Sequence, residues 1–519
     1  VNIAFFQSIT LMRMERHKKR DWKTWYTNER MKLENTASYA QAREEGRTVM
    51  EWNDIAHYII MPNYKETMEV MQQTIQNIVD TCTITNQLTL VLAMEEREVE
   101  APQKAAALIR QFREHFKDIM ISYHPPNLPN DIPGKGSNER WATNLVDKHS
   151  RERGVEDTTL ITIFDADSLF TRNYFECITA KFCLDVNERY YTIFQAPITH
   201  YVNLFQVPLF TKIMTLVVSM HEIASSSIRH EEHVPFSTYS LSLRLAQEVG
   251  GWDGDNIPED WHMYIKCSMR TGGRAILRSV YLPVNNYSVG ADTYWDSLKE
   301  RWYQAKRHAW GLSEIAYYLN LLGDSSIRKK PLIRNLKMSY KLISLHVLAG
   351  TQWFYFALAS SFCTVIWILS MTHPDSAYIK ELMWYSRPFQ FFNAVTLPII
   401  LFGLYQNTDL MLSYSETYSK AYTKAWSTTR KVLTRIGLVI WFVIMWNIGF
   451  GVAVFFYTYV PTLINCVKLL FQDNITYHVA TKATSHSNLS TIIDSNDDSD
   501  VDIDMGLIEA SSDEMEELV

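Results

Sequence analysis

A chain of 519 residues is long enough for more than one domain. Residues 491–519 carry 11 acidic and no basic side chains, leaving 50 basic against 46 acidic in the body, so a net charge of −7 hides a near-neutral protein and argues against nucleic acid as a partner. Six scattered cysteines without a C-x-x-C argue against a disulfide framework or zinc site and fit a reducing compartment.

Val1–Met12 is uncharged and largely apolar, and R-M-E-R-H-K-K-R follows. This reads as the end of a membrane helix in a truncated sequence, with a basic cytosolic flank. A signal-peptide remnant is the alternative, but the usual small-residue cleavage site is missing. Trp22–Trp52 is charged and aromatic, of helix-forming composition, with no assignable chemistry. Ala56–Met61 is a strand, followed by P-N-Y-K-E at Pro62–Glu66. Met68, Val70, Met71, Ile75 and Ile78 give a helix from about Glu66 to Thr81 its apolar face. A second strand, Leu88–Ala93, ends in Met94-Glu95-Glu96. Ala105–Phe116 reads as a helix and Asp118–His124 as a third strand. A Pro/Asn/Gly-rich loop from Pro125 ends in G-K-G-S-N (Gly134–Asn138) and leads into another helix. This alternation predicts a parallel or mixed α/β sheet covered on both faces.

Leu160–Phe164 is a short buried strand that stops at two carboxylates, Asp165 and Asp167. If the strand persists to its end, i and i+2 point the same way and both project at the carboxyl edge, where α/β sheets bind ligands. Two hard oxygen donors there suit Mg2+ or Mn2+ holding a substrate's phosphates. An Asp-rich turn, or a helix N-cap at Ser168, is the plainer reading. Phe194–Pro197 and Phe210–Ile228 are apolar, the latter a helix over the site. V-G-G-W-D (Val249–Asp253) leads into I-P-E-D-W-H-M-Y-I-K-C, where Pro258 suits a first helical turn and Gly272-Gly273 a stop. Glu259 and Asp260 then sit at a helix N-terminus, where the dipole alone would favour each by about 0.3–1 kcal/mol. A helix over Trp295–Leu321 carries Y-Q-A-K-R-H-A-W-G, with Gln304, Arg307 and Gly311 on one face and Trp310 at i+3 from Arg307.

Leu342–Ser370 and Gly437–Val460 are long and apolar enough to span a bilayer, and Pro388–Gln406 is a shorter candidate. Six Lys/Arg in Arg328–Lys341 and five in Lys420–Arg435 place those flanks on the cytosolic side. Three spans put the acidic tail opposite the catalytic part, where the sequons at Asn474 and Asn488 are compatible with glycosylation. The tail is too acidic and too poor in aromatics to fold alone. The expected layout is a membrane-segment end and basic flank over 1–54, a cytosolic domain over 55–325, membrane helices over 326–472 and a disordered tail over 473–519.

The order of motifs resembles the membrane-embedded family 2 glycosyltransferases, which include cellulose, chitin and hyaluronan synthases. P-N-Y-K-E, an acidic end to the second strand, G-K-G-S-N, D-A-D, G-G-W-D, P-E-D and Q-A-K-R-H-A-W follow in the family's sequence over about Ile55–Gly311, with spans behind them. The resemblance implies a GT-A type mixed sheet with flanking helices, followed by a transmembrane helical region. It implies an integral membrane protein of the plasma membrane or Golgi/ER with a nucleotide-sugar donor, commonly a UDP-sugar. A polysaccharide or lipid would be the acceptor and the lipid bilayer a partner.

Carried over residue by residue, Asp167 and Asp165 would hold the divalent cation and Asp260 would deprotonate the acceptor hydroxyl, inverting the anomeric centre. Pro62, Tyr64, Glu66, Glu95 or Glu96, Lys135, Gln304 and Arg307 fall at donor-binding places. Trp252, Glu259, His308 and Trp310 fall near the acceptor. The chain departs from Q-x-x-R-W at His308, where tryptophan is expected, and Trp310 comes two residues later. Three or more spans favour a polymer synthase, and the departure favours single transfer to a lipid or protein. A haloacid-dehalogenase-like phosphatase, with Asp165 as nucleophile and Asp167 as acid/base, is disfavoured because about three strands precede the motif. A dead transferase scaffold is disfavoured because Asp165, Asp167 and Asp260 are all present. His230-Glu-Glu-His233 lacks zinc-protease spacing and reads as an exposed segment. Asn286-Tyr-Ser falls in the cytosolic part and should be unmodified. Most of the 15 tryptophans read as interface-belt residues.

Overall fold

Apolar runs with turn signals between them assemble, in the computed structural model, into ten strands among the described residues, and the alternate residues of these strands feed two separate cores. The structure describes residues 2–129, 131–228, 234–324, 327 and 332–471. The His230–His233 segment, the basic Arg328–Lys330, the acidic tail and the Asn474 and Asn488 sequons lie outside the described residues.

The strands are β1 (Ala56–Pro62), β2 (Leu88–Glu95), β3 (Asp118–His124), β4 (Thr159–Ile163), β5 (Leu169–Phe170), β6 (Thr192–Gln195), β7 (Ile198–Thr199), β8 (Tyr239–Ser242), β9 (Ile276–Ser279) and β10 (Val284–Asn285). Seven form a mixed sheet in the order β3-β2-β1-β4-β8-β6-β9. β8 runs antiparallel to both its neighbours, and the other pairs are parallel. β5, β10 and β7 make a small second sheet.

Ile59 and Met61 point to one face, among Met71, Ile75 and Leu108; Tyr58 and Ile60 point to the other, among Leu145, Ile265 and Cys267. Burying each such side chain contributes roughly 1.5–3 kcal/mol, and burial on both faces explains why β1, β2 and β4 are near-continuous apolar runs. The expected sheet covered on both faces is therefore present. The carboxyl ends of parallel β1, β2, β3 and β4 all open on one edge, which fixes the site's position.

Several boundaries move for physical reasons. The helix expected at Ala105–Phe116 starts at Ala101, with a proline in its first turn, and ends at Phe112. The helix after β1 starts at Met68, capped by the Thr67 side chain on the Val70 N–H. The helix expected over Trp295–Leu321 is interrupted: Tyr294–Ala309 and Ser313–Gly323 are separated by a 3-10 turn at Trp310–Leu312. Trp22, Tyr26 and Trp52 share a core with Ile59 and Leu90, so packing runs across the sequence boundary at Ile55.

The helix Asn2–Lys18 packs on helices Leu209–Ser225 and Ala377–Tyr414, where Gln7 Nε2 donates to the Gly403 carbonyl at 2.8 Å. Beyond the α/β part lie the long helices Ala349–Thr372, Ala377–Tyr414, which contains Pro388 and Pro398, and Thr428–Val454. Among the described residues one helical segment, Gly449–Lys468, is long and apolar enough to cross a membrane. It lies C-terminal of the expected Gly437–Val460, with an overlap.

Candidate active site

The carboxyl edge of the sheet and the helices Leu209–Ser225, Glu259–Arg270 and Tyr294–Ala309 enclose a cavity of about 440 Å3. Pro62, Tyr64, Glu66, Glu95, Lys135, Asp165, Asp167, Glu259, Asp260, Gln304, Arg307 and His308 all line it. Residues spread over 247 positions of sequence thus converge on one space.

β4 stops at Ile163, so Asp165 and Asp167 do not converge through a continuing pleat. They converge through a turn closed by the Ser168 N–H on the Asp165 carbonyl at 2.9 Å. Ser168 caps no helix; its hydroxyl donates to Asn286 Oδ1 at 3.2 Å. Asp167 Oδ2 accepts from the Tyr287 N–H at 3.0 Å, and Asp165 Oδ2 accepts from Ser237 Oγ at 2.5 Å.

Lys135 sits at the centre, its Nζ 2.8 Å from Asp165, 2.7 Å from Glu259 and 3.5 Å from Glu139. Burial opposes its charge, but these carboxylates and Asp260 hold its pKa well above the usual lysine range. The glycine beside it has a packing reason. A Cβ on Gly136 would come within 3.1 Å of the Asn256 carbonyl and the Glu259 Cβ, so glycine lets the Lys135–Glu152 helix abut the helix of Glu259.

Asp260 opens the helix Glu259–Arg270. Its Oδ1 accepts from the Trp261 N–H at 2.8 Å and its Oδ2 from the Ser237 N–H at 3.0 Å. Burial and the neighbouring Glu259 push its pKa up to about 7, against Lys135 and the two N–H donors. A carboxylate tuned near neutrality suits proton abstraction better than one at the ordinary value. On the covering helix, burial and Asp260 push Glu222 up to about 8.

At the other end of the cavity, Glu95 closes β2 and meets Arg97 Nε at 2.9 Å and His124 Nδ1 at 3.3 Å. Burial opposes the His124 charge, but Asp131 and Glu95 raise its pKa to about 9. The Arg97 guanidinium stacks 3.9 Å from the Tyr64 ring centroid. Glu98 organises the P-N-Y-K-E loop, accepting from Asn63 Nδ2 and the Lys65 N–H at 2.9 Å each. At the far wall, enclosure and the Arg307 and Arg301 guanidiniums keep the His308 imidazole neutral, well below its usual range.

Three expected positions fall elsewhere. Glu96 is exposed outside the cavity, because neighbouring residues at the strand end point to opposite sides and Glu95 takes the inner one. Trp252 is buried, its indole N–H donating to the Tyr239 hydroxyl at 2.7 Å. Trp310, the first residue of the 3-10 turn, is 1% exposed and does not line the cavity. Sequence reasoning missed Ser237, Trp261, Asn286 and His346, which line the cavity. Only the adjacency of Trp261 to Asp260 offered a signal; the other three lie in segments without a carboxylate or glycine motif.

A mixed sheet thus gathers acidic residues, a lysine and an arginine around one cavity at its carboxyl edge. The family model for glycosyl transferase family group 2 matches residues 160–464, and the chain belongs to that family. No curated protein sequence matches it. The solved structures it resembles include a mannosyltransferase from Pyrobaculum calidifontis in complex with GDP-Man and Mn2+, at 13% identity and a TM-score of 0.38, covering 87% of this chain and 99% of that one. They also include GalNAc-T7 with UDP, GalNAc and Mn2+, at 11% identity and a TM-score of 0.33, covering 57% of this chain and 58% of that one.

Proposed function

We propose that the chain is an inverting glycosyltransferase moving a sugar from a nucleotide-sugar, a UDP-sugar by the resemblance of its motifs, to a growing polysaccharide at a membrane. The observation that carries this reading is Asp260, raised to about 7 and held by two backbone N–H groups in the cavity that Asp165, Asp167 and Lys135 share. The donor diphosphate lies against Lys135 and Arg307, whose charges offset its own. Asp260 takes the proton of the acceptor hydroxyl as that oxygen bonds to the anomeric carbon. The bond from that carbon to the phosphate oxygen breaks, and the nucleoside diphosphate leaves with the electron pair. Attack from the face opposite the leaving group inverts the centre.

Asp165 and Asp167 offer hard oxygens, and no cluster of three or more His, Cys, Asp and Glu side chains closes around a cation among the described residues. This donor set fits Mg2+ or Mn2+ as an ion shared with substrate phosphates, not one caged by protein. When bound, such an ion offsets charge on the leaving diphosphate.

The membrane setting is supported by apolar side chains left at least half exposed on the long helices, among them Phe362, Trp367, Ile368, Phe402, Ile440 and Ile444. In this setting the α/β part is cytosolic, beside basic flanks such as Arg334, Lys337 and Lys341. Transfer of a single sugar to a lipid or protein is the second reading, favoured by His308 in the place of the expected tryptophan.

The test supplies membranes expressing the chain with radiolabelled UDP-glucose, UDP-N-acetylglucosamine or UDP-glucuronate and Mg2+ or Mn2+, beside Asp260→Asn. A high-mass product absent from the variant supports the synthase. A small lipid-extractable product moves the assignment to single transfer. Incorporation that survives in the variant would contradict the assignment of Asp260.

A further inference from the structure

Q-A-K-R-H-A-W-G lacks a tryptophan directly after Arg307, and both tryptophans that sequence placed near the acceptor are buried away from the cavity. Among the described residues, Trp261 is the tryptophan on the cavity wall. It directly follows Asp260 and is only partly buried. Its backbone N–H holds Asp260 Oδ1 at 2.8 Å, which anchors the carboxylate beside the root of the Trp261 side chain.

A second element braces the indole. His346, on the π-helical turn Ser344–Leu348, packs against it with ring centroids 4.2 Å apart and planes tilted by 50°. Gly311 makes room for that imidazole, since a Cβ there would come within 2.5 Å of His346 Cε1. The glycine that ends the arginine motif therefore has a steric purpose tied to Trp261. A braced aromatic surface thus stands beside Asp260 on the cavity wall. It offers a flat apolar face on which a ring with one C–H-rich side packs, leaving the ring's edge hydroxyls directed at the carboxylate.

We propose that Trp261 is the acceptor platform of this chain and that the acceptor is a glycoside whose terminal sugar packs on the indole beside Asp260. This rests on the glycosyl-transfer reading above and narrows it. A serine hydroxyl or a lipid phosphate presents no ring to such a surface, so the acceptor class is a sugar already attached to something else.

The test uses the full chain in detergent with the donor that supports transfer, and octyl β-glucoside and octyl N-acetyl-β-glucosaminide as acceptor probes. Trp261→Ala is expected to raise the acceptor KM roughly tenfold while the donor KM stays within about twofold, and Trp261→Phe to recover most of the loss. Thermal protection by UDP, retained in both variants, shows that the donor half is folded. An unchanged acceptor KM in Trp261→Ala, or an equal rise in both KM values, overturns the platform and leaves glycosyl transfer standing. Transfer to a serine peptide or dolichyl phosphate with none to either glycoside overturns it too. No transfer to any acceptor overturns the underlying reading and the platform with it.

Discussion

Ser237 ties the two halves of the site together. Its N–H holds Asp260, its hydroxyl holds Asp165 at 2.5 Å, and its carbonyl accepts from Lys135 Nζ at 3.3 Å. It does so with φ at +59°, a left-handed conformation that costs a non-glycine residue about 1–2 kcal/mol. Ser237→Gly relieves that cost and keeps the N–H on Asp260 but removes the hydroxyl from Asp165. The relieved strain roughly offsets the hydrogen bonds to Asp165 and Asn286 that are lost, so the melting temperature is expected to hold while kcat falls roughly tenfold. A fall in both would mean that the serine serves the fold alone. For Asp260, whose pKa is raised to about 7, the active form is the ionised one, so kcat/KM should fall as pH drops below about 7. Asp260→Asn should remove that limb and about 10³-fold of rate, within the range of a general base. Lys135→Met withdraws a charge that lowers the Asp260 pKa and should move the limb upward. A limb near the ordinary carboxylate value of about 4 would contradict the assignment.

The helix Glu259–Arg270, which carries Asp260, is pinned at its first turns by ion pairs. His262 Nε2 lies 2.8 Å from Asp253, its Nδ1 lies 3.2 Å from Glu314, and Lys266 Nζ lies 2.6 Å from Asp253. Burial opposes the His262 charge, but Asp253 and Glu314 raise its pKa to about 9. A histidine raised on folding contributes stability that is complete below its unfolded value of about 6.5 and lost as pH rises through about 9. The melting temperature should therefore fall between pH 7 and pH 10, and fall less in His262→Gln, which is less stable at neutral pH by about 3 kcal/mol because Glu314 loses its cation and Asp253 keeps only Lys266. Equal pH slopes in the two proteins would reject this anchor.

Much of this element was legible in sequence. Pro258 and Gly272-Gly273 bracket the helix, and β1, β2, β3 and β4 stand out as apolar runs. The role of Asp253 was not legible, because its partners depend on how the helix lies against the loop. For the same reason the turn that brings Asp165 to Asp167, and the break at Trp310, escaped a reading based on period. Both carry contacts from distant parts of the chain: Ser237 with Asp165, and His346 against Gly311. Gly311→Ala tests the second directly. It should cost about 1–3 kcal/mol by overpacking, and a neutral melting temperature would show that His346 can move aside.

Across the whole molecule, the cavity lies where the α/β part meets the long apolar helices, with Leu345 and His346, on the turn that leads into the helix Ala349–Thr372, on its wall. Helix Asn2–Lys18 closes the assembly on the helices Leu209–Ser225 and Ala377–Tyr414. In the proposed arrangement an acceptor on Trp261 would stand between Asp260 and the long apolar helices, and the nucleotide would lie towards Tyr64 and Arg97. The exposed apolar band predicts that the chain stays in the pellet after a carbonate wash and is released by detergent; release by carbonate alone would remove the membrane from the account. The proposed reaction is attack by an acceptor hydroxyl that Asp260 deprotonates, on the face opposite the leaving diphosphate. Proton NMR of the product formed from an α-linked UDP-sugar tests it most directly. A β-linked product, absent with Asp260→Asn, is the predicted result, and an α-linked product would contradict it.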